Sequence, residues 1–212
     1  MQTKRFLPGI ILALLTATAP TFAQETIGAA LISRPVLDSS VPLVIALHDG
    51  FTQPGTLTTW AFFNDISVGG SVIPLLLTKS GADFIVSGVG TQRSNSGAGL
   101  QSFAFGLTSG SASVTSGTLF GWWQDIGVVP LDFVAPSSSG NNTTVTVGTD
   151  PLNLFAGANL GSGVQVLNGG NTRDYSIQAT AIFSSSAAPE PGTIVLLGIG
   201  LVGAIAARRR NV

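Results

Sequence analysis

Three residues near the end of the sequence, Pro189, Glu190 and Pro191, have types and an order that a protease can recognise. A proline pushes the residue before it away from helical backbone and towards extended backbone. The segment is therefore expected to be a stiff, extended strip, and a membrane-embedded protease could grip such a strip. The chemistry that it predicts is cleavage by another enzyme, not catalysis by this chain.

An uncharged apolar run at residues 193–207 follows the strip, and Arg208, Arg209 and Arg210 follow the run. Fifteen helical residues span about 22 Å, which is short of a hydrocarbon core of about 30 Å. Because the bilayer can thin and Arg208 can extend its head group to the interface, the run predicts one short transmembrane helix. Basic residues stay cytoplasmic, so the arginines place the tail inside and residues 24–183 outside.

The strip, the apolar run and the arginines, in this order, resemble the PEP-CTERM sorting signal of bacterial surface proteins. The resemblance covers residues 189–212, about a tenth of the chain. It implies that an exosortase recognises residues 189–191, cuts near them and transfers the protein to a surface acceptor. It also implies an inner-membrane precursor in a Gram-negative-type bacterium and a role in an exopolysaccharide matrix or biofilm. The alternative is a plain membrane anchor that is never cut.

The first 23 residues read as a secretory signal peptide. Lys4 and Arg5 form the positive n-region, residues 6–17 form the apolar h-region, and Ala23 is the small residue before the expected cleavage point. The predicted partners are the Sec translocon and signal peptidase, with cleavage after Ala23. The alternative is an uncleaved N-terminal anchor.

Charge is scarce between the two signals. Residues 24–188 hold nine acidic and four basic residues, a net charge of −5. No basic patch is available to meet phosphates, so the composition excludes nucleic acid as a partner. The chain has no cysteine, so the fold uses no disulfide although export would permit one. About 165 residues are enough for one domain with its own core.

Residues 24–183 predict an all-β ectodomain, because short apolar or alternating runs are separated by turn residues and helical periodicity is absent. The clearest strand is 175–183, in which every second residue from Tyr175 shares one face. About ten strands without helices between them indicate an antiparallel β-sandwich, jelly-roll-like, followed by a flexible linker at residues 184–188. The other predicted strands are 29–33, 43–47, 58–63, 71–77, 83–89, 102–107, 118–123, 128–133, 143–147 and 164–167, the last in a closing hairpin.

Few residues are suited to catalysis. His48 is the only histidine, and Asp49 beside it faces the other way on a strand, so neither a Ser-His-Asp site nor a zinc site is expected. Nine acids leave a glycoside-hydrolase pair open, but nothing marks two of them as partners. Calcium stays open at turn residues such as Asp65, Asp125 and Asp150, although the sequence contains no calcium-binding loop. We expect no enzyme, no cofactor and no metal site.

Carbohydrate is the natural ligand to consider for the ectodomain, by analogy with other sandwich domains that stack sugars on exposed aromatic rings. Neighbouring residues on a strand face opposite sides, so one of Trp122 and Trp123 is a candidate for sugar stacking. The alternative is that a loop covers the outer ring. Trp60, Phe62 and Phe63 are expected in the core.

These observations favour an exported structural or adhesive surface protein without catalysis. A carbohydrate-binding module acting on exopolysaccharide is the second hypothesis, and an exposed tryptophan over a polar groove would favour it. A hydrolase of extracellular polymers is the third, and two carboxylates about 5 to 10 Å apart in a cleft would favour it.

Overall fold

The described part of the chain is built from antiparallel β-strands. The computed structural model describes part of the 212 residues, and these form strands, turns and loops. Every strand pair among them is antiparallel. The prediction of an all-β, antiparallel fold is therefore confirmed. The described residues are 22–34, 36–37, 43–65, 70–94, 97–125, 132–134, 142–145, 154–162 and 173–183.

Fifteen strands lie in these residues and are numbered here in chain order. They are β1 (Ala23–Gly28), β2 (Val36–Leu37), β3 (Leu43–Gly50), β4 (Gly55–Asn64), β5 (Ser71–Ser80), β6 (Asp83–Gly90), β7 (Arg93–Ser94), β8 (Gly99–Ala104), β9 (Leu107–Gly110), β10 (Ser113–Val114), β11 (Leu119–Gln124), β12 (Asp132–Val134), β13 (Asn142–Val145), β14 (Asp174–Tyr175) and β15 (Ile177–Phe183).

The strands form two large sheets and one small sheet. The first sheet has the order β1-β15-β4-β10, with β8 also paired to β4. The second has the order β13-β3-β11-β5-β6-β9, with β7 also paired to β5. The small sheet has the order β14-β12-β2. The chain crosses between the two large sheets several times, so residues far apart in sequence meet in one core.

The two large sheets share that core. Alternation along the strands directs Trp60 and Phe62 of β4, together with Ile177 of β15, inward from the first sheet, and Phe120 and Trp122 of β11 inward from the second. All five side chains are at most 1% exposed. The Trp60 and Phe120 rings lie 6.3 Å apart. The sheets therefore pack face to face, and this apolar burial is the main force that stabilises the domain.

A second apolar cluster lies on the opposite face of the second sheet. Residues 154–161, here called the covering segment, run along β6 and contribute two buried leucines, Leu154 and Leu160, to this cluster. Backbone hydrogen bonds hold the segment: the Val86 N–H donates to the Ala158 carbonyl at 2.9 Å, and the Leu160 N–H donates to a β6 carbonyl at 2.8 Å. The second sheet is thus buried on both faces.

The predicted strand at 175–183 has the predicted inner face. Its alternate residues Tyr175, Ile177, Ala179, Ala181 and Phe183 are at most 4% exposed. The strand is divided at position 176, where the chain leaves β14 and enters β15. Seven further predicted strands overlap β3, β4, β5, β6, β11, β12 and β13, at the described residues of each.

The prediction of a strand at 29–33 is wrong, because the first strand lies at Ala23–Gly28. β15 begins at Ile177, so the pairing of β1 with β15 ends at Gly28. The Ala29 N–H still donates to the Ile177 carbonyl at 3.1 Å, and side chains hold the residues after it. Ser176 Oγ donates to the Ile32 carbonyl at 2.6 Å, and Arg34 Nε donates to the Ser176 hydroxyl at 2.7 Å.

Three smaller predictions are also corrected. The predicted strand at 102–107 is interrupted, because β8 ends at Ala104 in the first sheet and β9 begins at Leu107 in the second. The residue types of Asp49 and Gly50 also predict a turn, but β3 continues through Gly50. Phe63 lies on the outer side of β4 and is half-buried, whereas the core positions of Trp60 and Phe62 are confirmed.

Several predictions fall on residues outside the described part. They concern the signal peptide up to residue 21, the closing hairpin with its strand at 164–167 and its turn at 168–171, the linker at 184–188 and the tail at 189–212. These stay predictions. Within the part of the chain that the structure does describe, no helix has the length and apolar character needed to cross a membrane.

Gly28 lies at a position where the backbone has no room for a side chain. Its φ is +108°, and a Cβ there would lie 2.2 Å from the carbonyl oxygen of Ile177. We expect Gly28→Ala to lower the free energy of unfolding by about 1–3 kcal/mol, because the backbone conformation and the contact are both unfavourable. Guanidinium unfolding of the released protein measures this change.

Gly97→Ala is the matched control. A Cβ at Gly97 meets nothing within 4 Å, so this variant should stay within about 0.5 kcal/mol of the wild type. Equal stability of the Gly28 and Gly97 variants would contradict the close approach of β1 to β15.

Candidate functional site

The chain leaves the two-sheet domain along β15 on its way to the predicted sorting motif. β15 lies between β1 and β4, and its last residue, Phe183, is 4% exposed. The Phe183 ring packs over Gly55, where an added Cβ would lie 2.4 Å from Phe183 Cδ1. Pro189 is six residues further along the chain. Since a chain extends at most about 3.6 Å per residue, at most about 22 Å of chain joins the last strand to the motif.

The expected signal-peptide cleavage point lies at the same end of the first sheet. β1 is antiparallel to β15, with Ala23 opposite Phe183. Ala23 is exposed, and β1 is an edge strand of its sheet. Cleavage after Ala23 removes one residue of the strand and leaves Gln24 to Gly28 paired with β15. The fold is therefore compatible with a mature chain that begins at Gln24.

Of the two alternatives for the Trp122–Trp123 pair, the structure shows the one in which the outer ring is covered. Trp122 is 0% exposed and Trp123 is 2% exposed. Trp122 lies between the sheets, edge-on to Tyr175 with ring centres 5.2 Å apart, and its indole N–H donates to Gln124 Oε1 at 3.1 Å. Trp123 lies in the second cluster, with the leucines of the covering segment. Neither ring has the free face that sugar stacking needs.

Several carboxylates of the domain connect loops to strands. Glu25 of β1 accepts the backbone N–H of Thr52 at 2.9 Å. Asp83 at the start of β6 accepts from the Asn159 amide at 3.0 Å. The hydroxyl of a serine in the segment after β1 donates to Asp65. These contacts are structural, and each fastens a loop or the covering segment to a sheet.

The four basic side chains of the ectodomain also make contacts inside the fold. Two arginines donate hydrogen bonds to neighbouring hydroxyls, and an arginine and a lysine lie over aromatic rings. They are therefore spread over the domain, and each lies against its own neighbours. The pairs are Arg34 with Ser176 (2.7 Å), Arg173 with Tyr175 (3.2 Å), Arg93 over Phe103 (5.4 Å) and Lys79 over Phe84 (5.5 Å).

His48 and Asp49 are both exposed on β3. Among the residues that the structure describes, no group of three or more histidines, aspartates and glutamates could hold a metal ion. Asp150, one of the candidate calcium ligands, lies outside those residues. The residues with the clearest predicted chemistry remain those of the tail.

The fold and the tail together define an all-β protein with a terminal sorting signal. The family model described as the PEP-CTERM protein-sorting motif matches residues 187–210. The matched stretch includes Pro189, Glu190 and Pro191 as well as the arginines at 208–210. The chain therefore carries a PEP-CTERM sorting motif, as its sequence predicts. Comparison with curated proteins and with solved structures found no match.

Proposed function

We propose that this protein is exported, held in the inner membrane as a precursor and then processed by an exosortase into a cell-surface or extracellular-matrix protein. The observation that carries the proposal is the match of residues 187–210 to the PEP-CTERM motif. The signal peptide at residues 1–23 directs the chain to the Sec translocon and signal peptidase. The helix at residues 193–207 and the basic tail then stop it in the membrane with residues 24–188 outside.

The arrangement of strands suits this order of events. The described strands end at Phe183, before the motif, and the strand that completes the first sheet is the last one exported. Removal of residues beyond Pro189 leaves every one of these strands in place. The precursor can therefore fold outside the membrane while the tail still anchors it, and processing releases a finished domain.

The ectodomain is a jelly-roll-like β-sandwich with a structural or adhesive, non-catalytic role in the surface matrix. Three observations support this role over the alternatives. The tryptophan pair that favoured a carbohydrate-binding module is buried. Described carboxylates such as Glu25 and Asp83 are engaged in fastening loops, which weakens the case for a polymer hydrolase. The two buried clusters give a rigid, charge-poor scaffold.

Intact-mass spectrometry of the surface fraction of the native host tests the proposal. We expect a mature chain that ends near Pro189 and lacks residues 193–212. The membrane fraction of a host without its exosortase is the control, and there the chain should keep its tail. A surface form that retains Arg208 to Val212 would contradict processing and leave an ordinary single-pass anchor.

A further inference from the structure

The residue that follows the expected signal-peptide cleavage point is a glutamine, and it lies on an edge strand. Gln24 is the second residue of β1, lies opposite Ile182 of β15 and is exposed. After cleavage its backbone nitrogen becomes the α-amine of the mature chain. An α-amine and a side-chain carboxamide on the same glutamine are separated by the number of bonds that closes a five-membered ring.

We propose that Gln24 is a modification site and that it cyclises to pyroglutamate once signal peptidase has freed it. This inference rests on the proposed export and on cleavage after Ala23. The α-nitrogen attacks the side-chain carbonyl carbon, Cδ, and an N–Cδ bond forms. The Cδ–Nε2 bond breaks, and Nε2 leaves as ammonia with a proton taken from the amine. The reaction is intramolecular, and it needs neither an oxidant nor a second substrate.

The structure shows why the strand accepts this ring. The lactam restricts φ of residue 24 as a proline ring does, and such a residue is tolerated at the first position of an edge strand. β1 is held by contacts beyond that residue. Glu25 accepts the Thr52 N–H at 2.9 Å, the Thr26 hydroxyl lies 2.9 Å from the Thr180 hydroxyl, and Ile27 is 7% exposed. The first residue can therefore change its chemistry while the strand stays docked.

The modification changes the character of the mature N-terminus. Cyclisation removes the positive charge of the α-ammonium group, which otherwise lies beside the exposed apolar side chain of Ile182. It also removes the free amine that aminopeptidases require. A protein that persists outside the cell would gain a blocked, neutral N-terminus on β1, the edge strand of its first sheet.

The test is N-terminal analysis of the full mature protein taken from the native host. Free amines are labelled by dimethylation at the moment of lysis, before digestion, so that cyclisation during sample handling is not counted. We expect the peptide that begins at residue 24 to be unlabelled and lighter than the linear peptide by the mass of one ammonia.

Gln24→Asn is the matched control, because asparagine keeps the amide but would have to close a four-membered ring. This variant should carry a labelled, linear N-terminus. A labelled, linear Gln24 in the wild type would overturn the inference and leave the proposed export intact. A mature chain that begins at another residue would overturn both the inference and the cleavage point, whereas the C-terminal mass decides sorting independently.

Discussion

Replacing Pro189, Glu190 and Pro191 together with alanine is expected to leave the protein as a full-length precursor in the inner membrane. The two prolines are expected to favour extended backbone, so alanine would allow helical backbone to spread from the predicted helix at 193–207 into the recognition site. Alanine at position 190 also removes a carboxylate, and a hydrogen bond to a charged group contributes about 1.5–3 kcal/mol. We expect the exosortase to bind this carboxylate, so loss of one such hydrogen bond corresponds to about a 10- to 150-fold loss of processing efficiency.

Immunoblotting of membrane and surface fractions, with a tag placed in the ectodomain, measures the distribution of precursor and processed forms. Alanine at Ser184, Ser185 and Ser186 is the control, because it changes the same number of residues in the adjacent linker. Those variants should be processed as the wild type is. If the triple variant at 189–191 reached the surface at its normal mass, the motif would not be the recognition site.

The sorting signal could be predicted from sequence because it is a linear signal. Its parts are contiguous, and their order along the chain carries the information. The match at residues 187–210 confirms that prediction without any tertiary structure. The strand at 175–183 was predictable for a related reason. Its alternation of apolar and polar residues is local, and the face that the alternation predicts to be buried is buried in the domain.

The burial of both Trp122 and Trp123 could not be predicted in the same way. Alternation correctly places the two rings on opposite faces of β11, but it does not say what lies on either face. The outer face is covered by residues 154–161, more than thirty residues later in the chain. Leu154 and Leu160 stand in a stretch rich in glycine and alanine, whose composition is typical of a loop and gives no local signal of this layer.

The first strand illustrates a different limit. The apolar residues at 29–33 favour a strand by composition, yet the strand lies at Ala23–Gly28. Strand position is set by the partner: β1 pairs with β15 only as far as Gly28, and beyond that point the Ser176 hydroxyl donates to the Ile32 carbonyl. Pairing across more than 150 residues is a property of the whole fold, so local pattern cannot supply it.

Loss of a tryptophan ring from the core should have the largest effect on stability. Trp122→Ala is expected to lower the free energy of unfolding by about 3–5 kcal/mol, because it leaves a cavity beside Tyr175. It also removes the hydrogen bond from the indole N–H to the buried Gln124 side chain, which adds about 0.5–1.5 kcal/mol. Domains of this kind are stable by about 5–15 kcal/mol, so the variant should be marginally folded.

Guanidinium unfolding followed by far-UV circular dichroism measures this loss without relying on tryptophan fluorescence. Leu100→Ala, at a side chain that is 60% exposed, is the control and should change stability by less than about 0.5 kcal/mol. Trp123→Ala separates burial from a surface role. A ring buried against the covering segment costs about 3–5 kcal/mol when removed, whereas a solvent-facing sugar platform would cost as little as Leu100. A small loss at Trp123 would therefore reopen the carbohydrate-binding hypothesis, and a large one assigns this ring to the core of the domain.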